Sequence, residues 1–278
     1  MRRIFDIAKW GITLGREPQA FLGAKWVNSV LDHAPTSRKR GLALRLLSLS
    51  PHYFINPDAP EYKGLRNSVY LEKVFQDCLD SRKKIYDQIL KGRLRPDDIV
   101  IDYGCGPGFV AKAVAPHVGK VFACDISTGA LACARVLNAE QNIEYVTADE
   151  KGLSKIEDES IDLVISFAMV QHISDDIFEL VLDNCRRKLK PNGRLILHIQ
   201  LIDNFWRTED DWKNDISVQG KLKYRYGLHC FGRTEESHRQ LVAKYGFEDI
   251  NFENLSDVVS DNFDDVCSQS LLTAVKGV

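Results

Sequence analysis

Three glycines spaced two residues apart follow an apolar run, and an acid ends the next apolar run along the chain. The glycines are Gly104, Gly106 and Gly108, just after Asp102, and the second acid is Asp125. A side chain at such glycines would hold a ligand away from the backbone, so the spacing favours a loop built for close approach. An acid at the end of the second strand of a βαβ unit is placed to bind ribose hydroxyls. These residues predict a site for an adenosine-containing ligand at the carboxyl ends of parallel strands.

The spacing of the glycines separates two kinds of adenosine ligand. A dinucleotide fingerprint counted from Gly104 needs a third glycine at position 109, and that residue is Phe109. The pyrophosphate of a dinucleotide needs backbone N–H groups at a helix N-terminus, with tight helix packing above them. An amino-acid and sulfonium tail instead fits a flatter glycine turn with a carboxylate nearby. The loop therefore resembles the first motif of class I S-adenosylmethionine-dependent methyltransferases.

The resemblance extends from about residue 97 to residue 278, because four further segments follow in the family's order. They are VFACDIS at the second strand, EYVTAD at the third, IDLVISFAMVQHI at the fourth and LKPNGRLILHIQ at the fifth. The resemblance implies that Asp125 contacts the ribose, that Asp149 contacts the adenine amino group, and that the loop after the fourth strand lies beneath the methyl donor. The cofactor-binding residues that it implies are Asp102, Gly104, Cys105, Gly106, Gly108, Asp125, Ile126, Ala148, Asp149, Phe167 and Ala168.

Several of these residues also have a purely structural interpretation. The glycines can simply close a strand–helix turn, and Asp125 can cap the next helix, since Asp and Ser both favour that position. We assign the cap to Ser127 and the ligand contact to Asp125. Asp102 can orient the glycine loop without touching a ligand, and Glu150 can take the place of Asp149.

Histidines near the predicted site are the candidates for a catalytic base. The methyl carbon of a sulfonium is already electrophilic, so the protein has to align the acceptor and exclude water; a hydroxyl acceptor also needs a base. His172 is the first candidate and His229 the second, while His198 within the fifth strand is predicted to be structural. The alternative for His172 is a hydrogen bond at a helix start. Asp203 and Asn204 resemble the pair of magnesium-dependent catechol-type methyltransferases, but the acid expected after strand four is missing, so no metal site is predicted.

Composition and charge indicate two parts of the chain. Residues 1–96 hold 18 Lys and Arg against 9 Asp and Glu, whereas residues 97–278 hold 19 against 30. We divide the chain there, into a helical extension and a methyltransferase domain. Seven cysteines without a C-x-x-C pair argue for reduced thiols and a cytoplasmic protein, and no apolar run reaches the length of a membrane span. No nucleic-acid-binding module is recognised, so no nucleic-acid partner is predicted.

The hydrophobic pattern predicts helices near 3–14, 18–32, 37–49 and 68–90, followed by alternating strands and helices. Strands are expected near 98–103, 120–125, 142–147, 161–167, 194–201, 247–254 and 268–275. The predicted fold is α/β: a Rossmann-like, seven-stranded, mostly parallel sheet with helices on both faces and an N-terminal helical extension. An aromatic-rich stretch from 203 to 233 is expected to be a functional loop on the acceptor side. Residues 1–50 are basic and amphipathic; they either dock on the catalytic domain, which we favour, or contact a membrane surface.

The resemblance implies an enzyme that transfers a methyl group from S-adenosylmethionine by direct in-line displacement. Its expected acceptor is a small or lipid-linked molecule, with oxygen favoured over nitrogen or carbon. A donor-binding regulatory protein without transferase activity is the first alternative. A nicotinamide-dependent oxidoreductase is the second.

Overall fold

A seven-stranded sheet forms the centre of the computed structural model, which describes residues 25–49, 60–148, 153–202, 207–225, 229–258 and 269–277. The strands are β1 Ile99–Tyr103, β2 Lys120–Asp125, β3 Ile143–Thr147, β4 Ile161–Ser166, β5 Leu189–Gln200, β6 Phe247–Asn254 and β7 Gln269–Lys276. Their order in the sheet is β3-β2-β1-β4-β5-β7-β6. The first five strands run parallel to one another, and β7 lies between β5 and β6, antiparallel to both.

Helices precede and connect these strands. The described helices are α1 Lys25–Asp32, α2 Thr36–Leu47, α3 Asn67–Ile85, α4 Phe109–Val114, α5 Thr128–Leu137, α6 Asp175–Lys188, α7 Glu209–Lys213, α8 Val218–Arg225, α9 Glu235–Lys244 and α10 Leu255–Val258. A wider π-helical turn, Tyr86–Leu90, continues α3. Single 3-10 turns cover Pro60–Tyr62, Ala115–His117 and Val170–His172.

The predicted fold class is confirmed, and six of the seven strands lie within one residue of their predicted bounds. The exception is β5, which begins at Leu189 rather than near residue 194. Leu189 pairs with Ile161, and the register then shifts so that Arg194 pairs with Leu163. Asn192, with a φ of +60°, lies within the shifted segment. The Asn-Gly pair is therefore a bulge inside a longer strand and not a turn before a shorter one.

Apolar side chains on the two faces of the sheet form two core clusters. On one face Ile101, Val164 and Leu197 pack with residues of α6 and α9. On the other face Ile165 and Ile196 pack with α4 and with the last turns of the α3 segment. Because helices cover both faces, the central strands are apolar on both sides, and their carboxyl ends are left to form a site.

Helices α1 and α2 pack on α5, and thus on the part of the chain that forms the sheet and its helices. Val27 and Leu31 of α1 belong to one cluster with Cys133 of α5. Asn28 Nδ2 also donates to Thr128 Oγ1 at 2.8 Å, at the start of α5. The described part of residues 1–50 therefore docks on the domain, while the predicted helix near 3–14 lies outside the described residues. None of the helices in the described ranges is long and apolar enough to cross a bilayer.

Candidate functional site

The glycine loop lies at the carboxyl end of β1, where the strand order changes direction. β2 and β3 lie on one side of β1, and β4 and β5 lie on the other. Ligands of open α/β sheets bind outside the strand ends at such a point. The N–H groups of Gly104 and Cys105 both donate to Cys124 O, at 2.7 and 3.0 Å, which ties the loop to the end of β2. All three glycines have positive φ, +77° at Gly104, +52° at Gly106 and +79° at Gly108, a conformation that glycine adopts at little cost.

Neighbouring side chains also leave no room for a Cβ at two of these glycines. A Cβ at Gly104 would lie 2.5 Å from Met169 Cγ, in the loop after β4. A Cβ at Gly108 would lie 2.5 Å from the hydroxyl oxygen of Tyr145. That hydroxyl donates to Asn138 O at 2.8 Å, so moving it away breaks a hydrogen bond. The close approach that the spacing predicts for a ligand is, at these two positions, met by the protein's own side chains.

Asp102 is buried beneath the glycine loop and is only 1% exposed. Its carboxylate accepts a hydrogen bond from Ala111 N at 3.0 Å, in the first turn of α4. Burial raises the pKa of Asp102 to about 7; the Ala111 bond opposes the rise and the nearby Asp125 adds to it. The structure therefore gives Asp102 a contact that positions the helix, as the structural interpretation has it. Cys105 is buried too, and burial raises the pKa of its thiol well above the usual range.

The Asp125 carboxylate joins the glycine loop to the start of α5. Its Oδ2 accepts a hydrogen bond from Gly106 N and its Oδ1 from Ser127 N, each at 2.8 Å. Burial raises the pKa of Asp125, and these two N–H groups oppose the rise. Ser127 Oγ accepts from Ala130 N, so Ser127 is the helix cap, as predicted. Asp125 is left as the carboxylate that faces the loop.

Ile126 and Ala148 flank Asp125 at the ends of β2 and β3. Ala148 N donates to the backbone oxygen of Asp125 at 3.0 Å, which holds the two strand ends together. The Ile126 side chain is 56% exposed, so apolar surface lies open beside the carboxylate. This combination suits an aromatic base attached to a sugar. Asp149, predicted to contact the adenine amino group, lies outside the described residues and stays a prediction.

His198 of β5 holds the loop that follows β4. Ala168 has a φ of +57°, and its N–H donates to His198 Nδ1 at 3.1 Å. The Phe167 ring stacks on the imidazole, with the ring centres 5.8 Å apart. Burial lowers the pKa of His198 to about 4, so the ring is neutral and Nδ1 can accept. The structural role predicted for His198 thus includes positioning the loop that carries Phe167 and Ala168.

His172 and His229, the two candidate bases, are neighbours. His172 Nδ1 lies 2.8 Å from His229 O. When Nδ1 carries the proton and donates to this carbonyl, Nε2 is the basic nitrogen. Burial lowers the pKa of both imidazoles, which keeps them neutral near pH 7. His229 is fully buried among aromatic rings; its own ring stacks on Tyr224 at 4.9 Å and lies near Trp212 and Phe231. The His229 imidazole is thus held within an aromatic cluster.

The aromatic-rich stretch after β5 is more ordered than the predicted loop, because it contains α7 and α8. Thr208 and Asp211 form a capping box that starts α7. The Trp212 indole N–H donates to Cys230 O at 2.9 Å and holds the helix to the returning chain. Asp203 and Asn204, which resemble the pair of the magnesium-dependent enzymes, lie outside the described residues. In the part of the chain that is described, no three His, Cys, Asp or Glu side chains are grouped as a metal site.

Residues 101–197 match the protein family described as a methyltransferase domain. Two curated relatives, the ubiquinone biosynthesis O-methyltransferases of Pseudomonas fluorescens strain Pf0-1 and of Coxiella burnetii strain Dugway 5J108-111, are each 31% identical to this chain, over 98 and 99 residues. Each match covers 34% of this chain and 41% of the relative, so the chain spans about two fifths of the length of these relatives.

Solved structures show the same fold over more of the chain. Phosphoethanolamine N-methyltransferase 2 of Haemonchus contortus, bound to S-adenosylhomocysteine, has a TM-score of 0.52 at 19% identity and covers 72% of this chain and 53% of that one. Human N-acetylserotonin methyltransferase, bound to its methyl donor, has a TM-score of 0.50 at 16% identity and covers 97% and 70%. At these identities the likeness shows the fold alone.

Proposed function

We propose that the chain, whose residues 101–197 match a methyltransferase domain, transfers a methyl group from S-adenosylmethionine to a small-molecule or lipid-linked acceptor. The observation that carries the proposal is the position of the Asp125 carboxylate against the glycine loop, beside the change of strand order. Oxygen is the favoured acceptor atom, and the O-methyltransferase names of the bacterial relatives support it.

The residues around the glycine loop fit S-adenosylmethionine. Each oxygen of Asp125 accepts one backbone N–H, and a carboxylate oxygen has a second lone pair that can accept from a ribose hydroxyl. Ile126 offers exposed apolar surface for adenine, and Gly106, whose N–H donates to Asp125, adds no side chain to the turn. When bound, S-adenosylmethionine supplies an electrophilic methyl carbon.

His172 is the proposed base for a hydroxyl acceptor. Its pKa is lowered by burial, so the imidazole is neutral and can take a proton at Nε2 while the His229 carbonyl fixes the other ring nitrogen. The loop after β4, held by His198, would help to align the acceptor. Alignment of this kind contributes on the order of 7–11 kcal/mol to lowering a barrier.

We further propose that residues 1–96 form a helical cap on a methyltransferase domain made of residues 97–278. Asn28 of α1 is bonded to Thr128, two residues beyond Ile126. A helix of the extension therefore lies close to the proposed adenine site. The cap would exclude water from the donor and close one side of the acceptor pocket.

Two measurements on the full chain test the proposal. Isothermal titration calorimetry with S-adenosylhomocysteine and, separately, with NAD distinguishes a methyl-donor site from a dinucleotide site. Incubation with S-adenosylmethionine and a cellular metabolite extract, followed by mass spectrometry, then identifies compounds that gain one methylene unit. Binding of S-adenosylhomocysteine without any methylated product would favour the regulatory alternative. Binding of NAD alone would overturn the proposal.

A further inference from the structure

One basic residue interrupts the apolar face that α3 turns toward the sheet. Phe75, Leu79, Arg82, Tyr86 and Ile89 recur at three- and four-residue spacing, so they share one face of the helical segment. Phe75, Tyr86 and Ile89 are buried in the core. Arg82 is half-buried between them. A cation in this row has to be explained by what it faces.

The Arg82 guanidinium, like that of Arg186, lacks the carboxylate partner that most buried and half-buried arginines in the described ranges have. Five of these form ion pairs with carboxylates: Arg93, Arg194, Arg207, Arg233 and Arg239. Arg82 instead donates to the neighbouring Ser81 Oγ at 3.1 Å, and no carboxylate of the described residues pairs with it. Its charge is thus left for another partner.

The sheet carries buried polar side chains on the face that the end of the α3 segment covers. Ile196 packs in the core cluster that contains Tyr86, and alternation along β5 places His198 and Gln200 on the same face as Ile196. Gln200 pairs in register with Gln269 of β7, which brings their side chains together. Gln200 is 2% exposed, and within the described structure neither its amide nitrogen nor its oxygen has a hydrogen-bond partner.

The helix and the strand meet at His198. The positive charge of Arg82 is among the causes that lower the pKa of His198, after burial, so the guanidinium lies within electrostatic range of the imidazole. His198 Nδ1 accepts from Ala168 N, and the Gln269 side chain also hydrogen-bonds to the imidazole, which opposes the lowering of its pKa. His172, the proposed base, also acts on His198 electrostatically. We call Arg82, His198, Gln200 and Gln269 the α3–β5 polar cluster; it offers many N–H donors, carries one positive charge and lies near the proposed base.

We propose that the α3–β5 polar cluster binds an oxyanion group, a carboxylate or a phosphate, of the methyl acceptor. The inference rests on the proposed function and narrows its substrate class. A guanidinium presents a fork of donors that matches both oxyanions, and amide N–H groups satisfy their remaining lone pairs. A buried amide without partners destabilises the fold, and an acceptor that hydrogen-bonds to it would remove that cost on binding. An acceptor without an acidic group would leave the guanidinium and the amide unsatisfied.

The test is calorimetric titration of the full chain with inorganic phosphate and, separately, with benzoate, each with and without saturating S-adenosylhomocysteine. We expect one of the two anions to bind, and the one that binds distinguishes a phosphate from a carboxylate acceptor. Arg82→Gln should weaken its binding by about 10- to 100-fold, the range for hydrogen bonds to a charged group. Lys83→Gln is the matched control, because it removes the same charge one residue along at a side chain that is 69% exposed.

Gln200→Leu separates ligand binding from folding. Replacing an unpartnered buried amide with an apolar side chain of similar size should leave the thermal midpoint unchanged or higher, while anion binding weakens. This variant also decides the matter if Arg82→Gln fails to fold. The proposal is overturned if neither anion binds the native chain, or if both variants bind it as tightly as the Lys83→Gln control. Absence of S-adenosylhomocysteine binding would instead overturn the proposed function, and the titrations without it still report on the cluster.

Discussion

Replacement of Asp125 by alanine should weaken the binding of S-adenosylhomocysteine much more than it weakens the fold. The lost ribose hydrogen bonds to a charged group are worth about 1.5–3 kcal/mol, or roughly 10- to 150-fold in the dissociation constant. The same carboxylate accepts from Gly106 N and Ser127 N at 2.8 Å, so the variant also leaves two backbone donors without their acceptor. Because Asp125 is half-buried, water can hydrogen-bond to part of the exposed backbone in the variant, and we expect a stability cost of about 1–3 kcal/mol.

Calorimetry with S-adenosylhomocysteine and thermal unfolding of the same samples measure the two effects separately. A cost of about 1–3 kcal/mol lowers the thermal midpoint by roughly 2–12 °C in a chain of this size. Asp162→Ala is the matched control, because Asp162 Oδ2 also accepts a backbone N–H, from Ile99 at 2.9 Å, but near the amino end of β4. This control should lose stability and keep its affinity.

Two outcomes would refute the reasoning about Asp125. An alanine variant that binds S-adenosylhomocysteine as tightly as the native chain would remove the ribose contact. An equal loss of affinity in Asp162→Ala would show that binding follows general stability and not the carboxylate at the loop. Asp125→Asn should fall between alanine and the native residue, since one of its two side-chain oxygens is kept as an acceptor.

Three further predictions follow from the site. Gly108→Ala should destabilise the fold by about 2–5 kcal/mol, because its Cβ would lie 2.5 Å from the Tyr145 hydroxyl at a φ of +79°. Gly64→Ala is the control, because Gly64 has a φ of +80° but open space around it. Denaturant unfolding should show a cost of only about 1 kcal/mol for this control. Asp102→Asn should remove a pH dependence: the pKa of Asp102 is raised to about 7, so the folded state keeps a proton that the unfolded state loses above pH 4, and native stability falls as pH rises toward 7. The free energy of unfolding of the variant, measured in urea relative to that of the native chain, should therefore rise by about 2–3 kcal/mol between pH 5 and 8. A difference between the two chains that does not change with pH would contradict this. His172→Ala should lower kcat by about 10²- to 10⁴-fold at unchanged S-adenosylhomocysteine affinity; since burial lowers the pKa of His172, native activity should persist somewhat below pH 6.5 and fall at lower pH.

Local sequence signals predicted most of the fold. β2 has its predicted bounds because an apolar run is closed by Asp125, and α5 starts where Ser127 supplies a cap. Thr234 likewise caps α9, with its side chain accepting from Ser237 N. Each of these signals lies within a few residues of the boundary that it sets, which is why one sequence is sufficient to find it.

The parts that the sequence did not give depend on contacts between distant residues. Nothing near Gly108 in the chain indicates that Tyr145 will lie above it. The start of β5 at Leu189 depends on pairing with Ile161, which a local pattern cannot supply. The donor–acceptor pair of Ala168 and His198 spans thirty residues. Such contacts are set by the topology of the sheet, so they become visible only once the strand order is known.

The elements around the proposed site are positioned by buried polar groups that need not touch a ligand. Asp102 fixes the start of α4 and His198 fixes the loop after β4. Burial favours the neutral form of both, since it raises the pKa of the carboxyl and lowers that of the imidazole. Asp102 and His198 each position a neighbouring segment, whereas in the functions proposed above Asp125 and Arg82 contact the two substrates, the carboxylate through the hydroxyls of the donor and the guanidinium through the oxyanion of the acceptor. Variants at the neutral pair should therefore change both affinities together, whereas variants at the charged pair should change one affinity each.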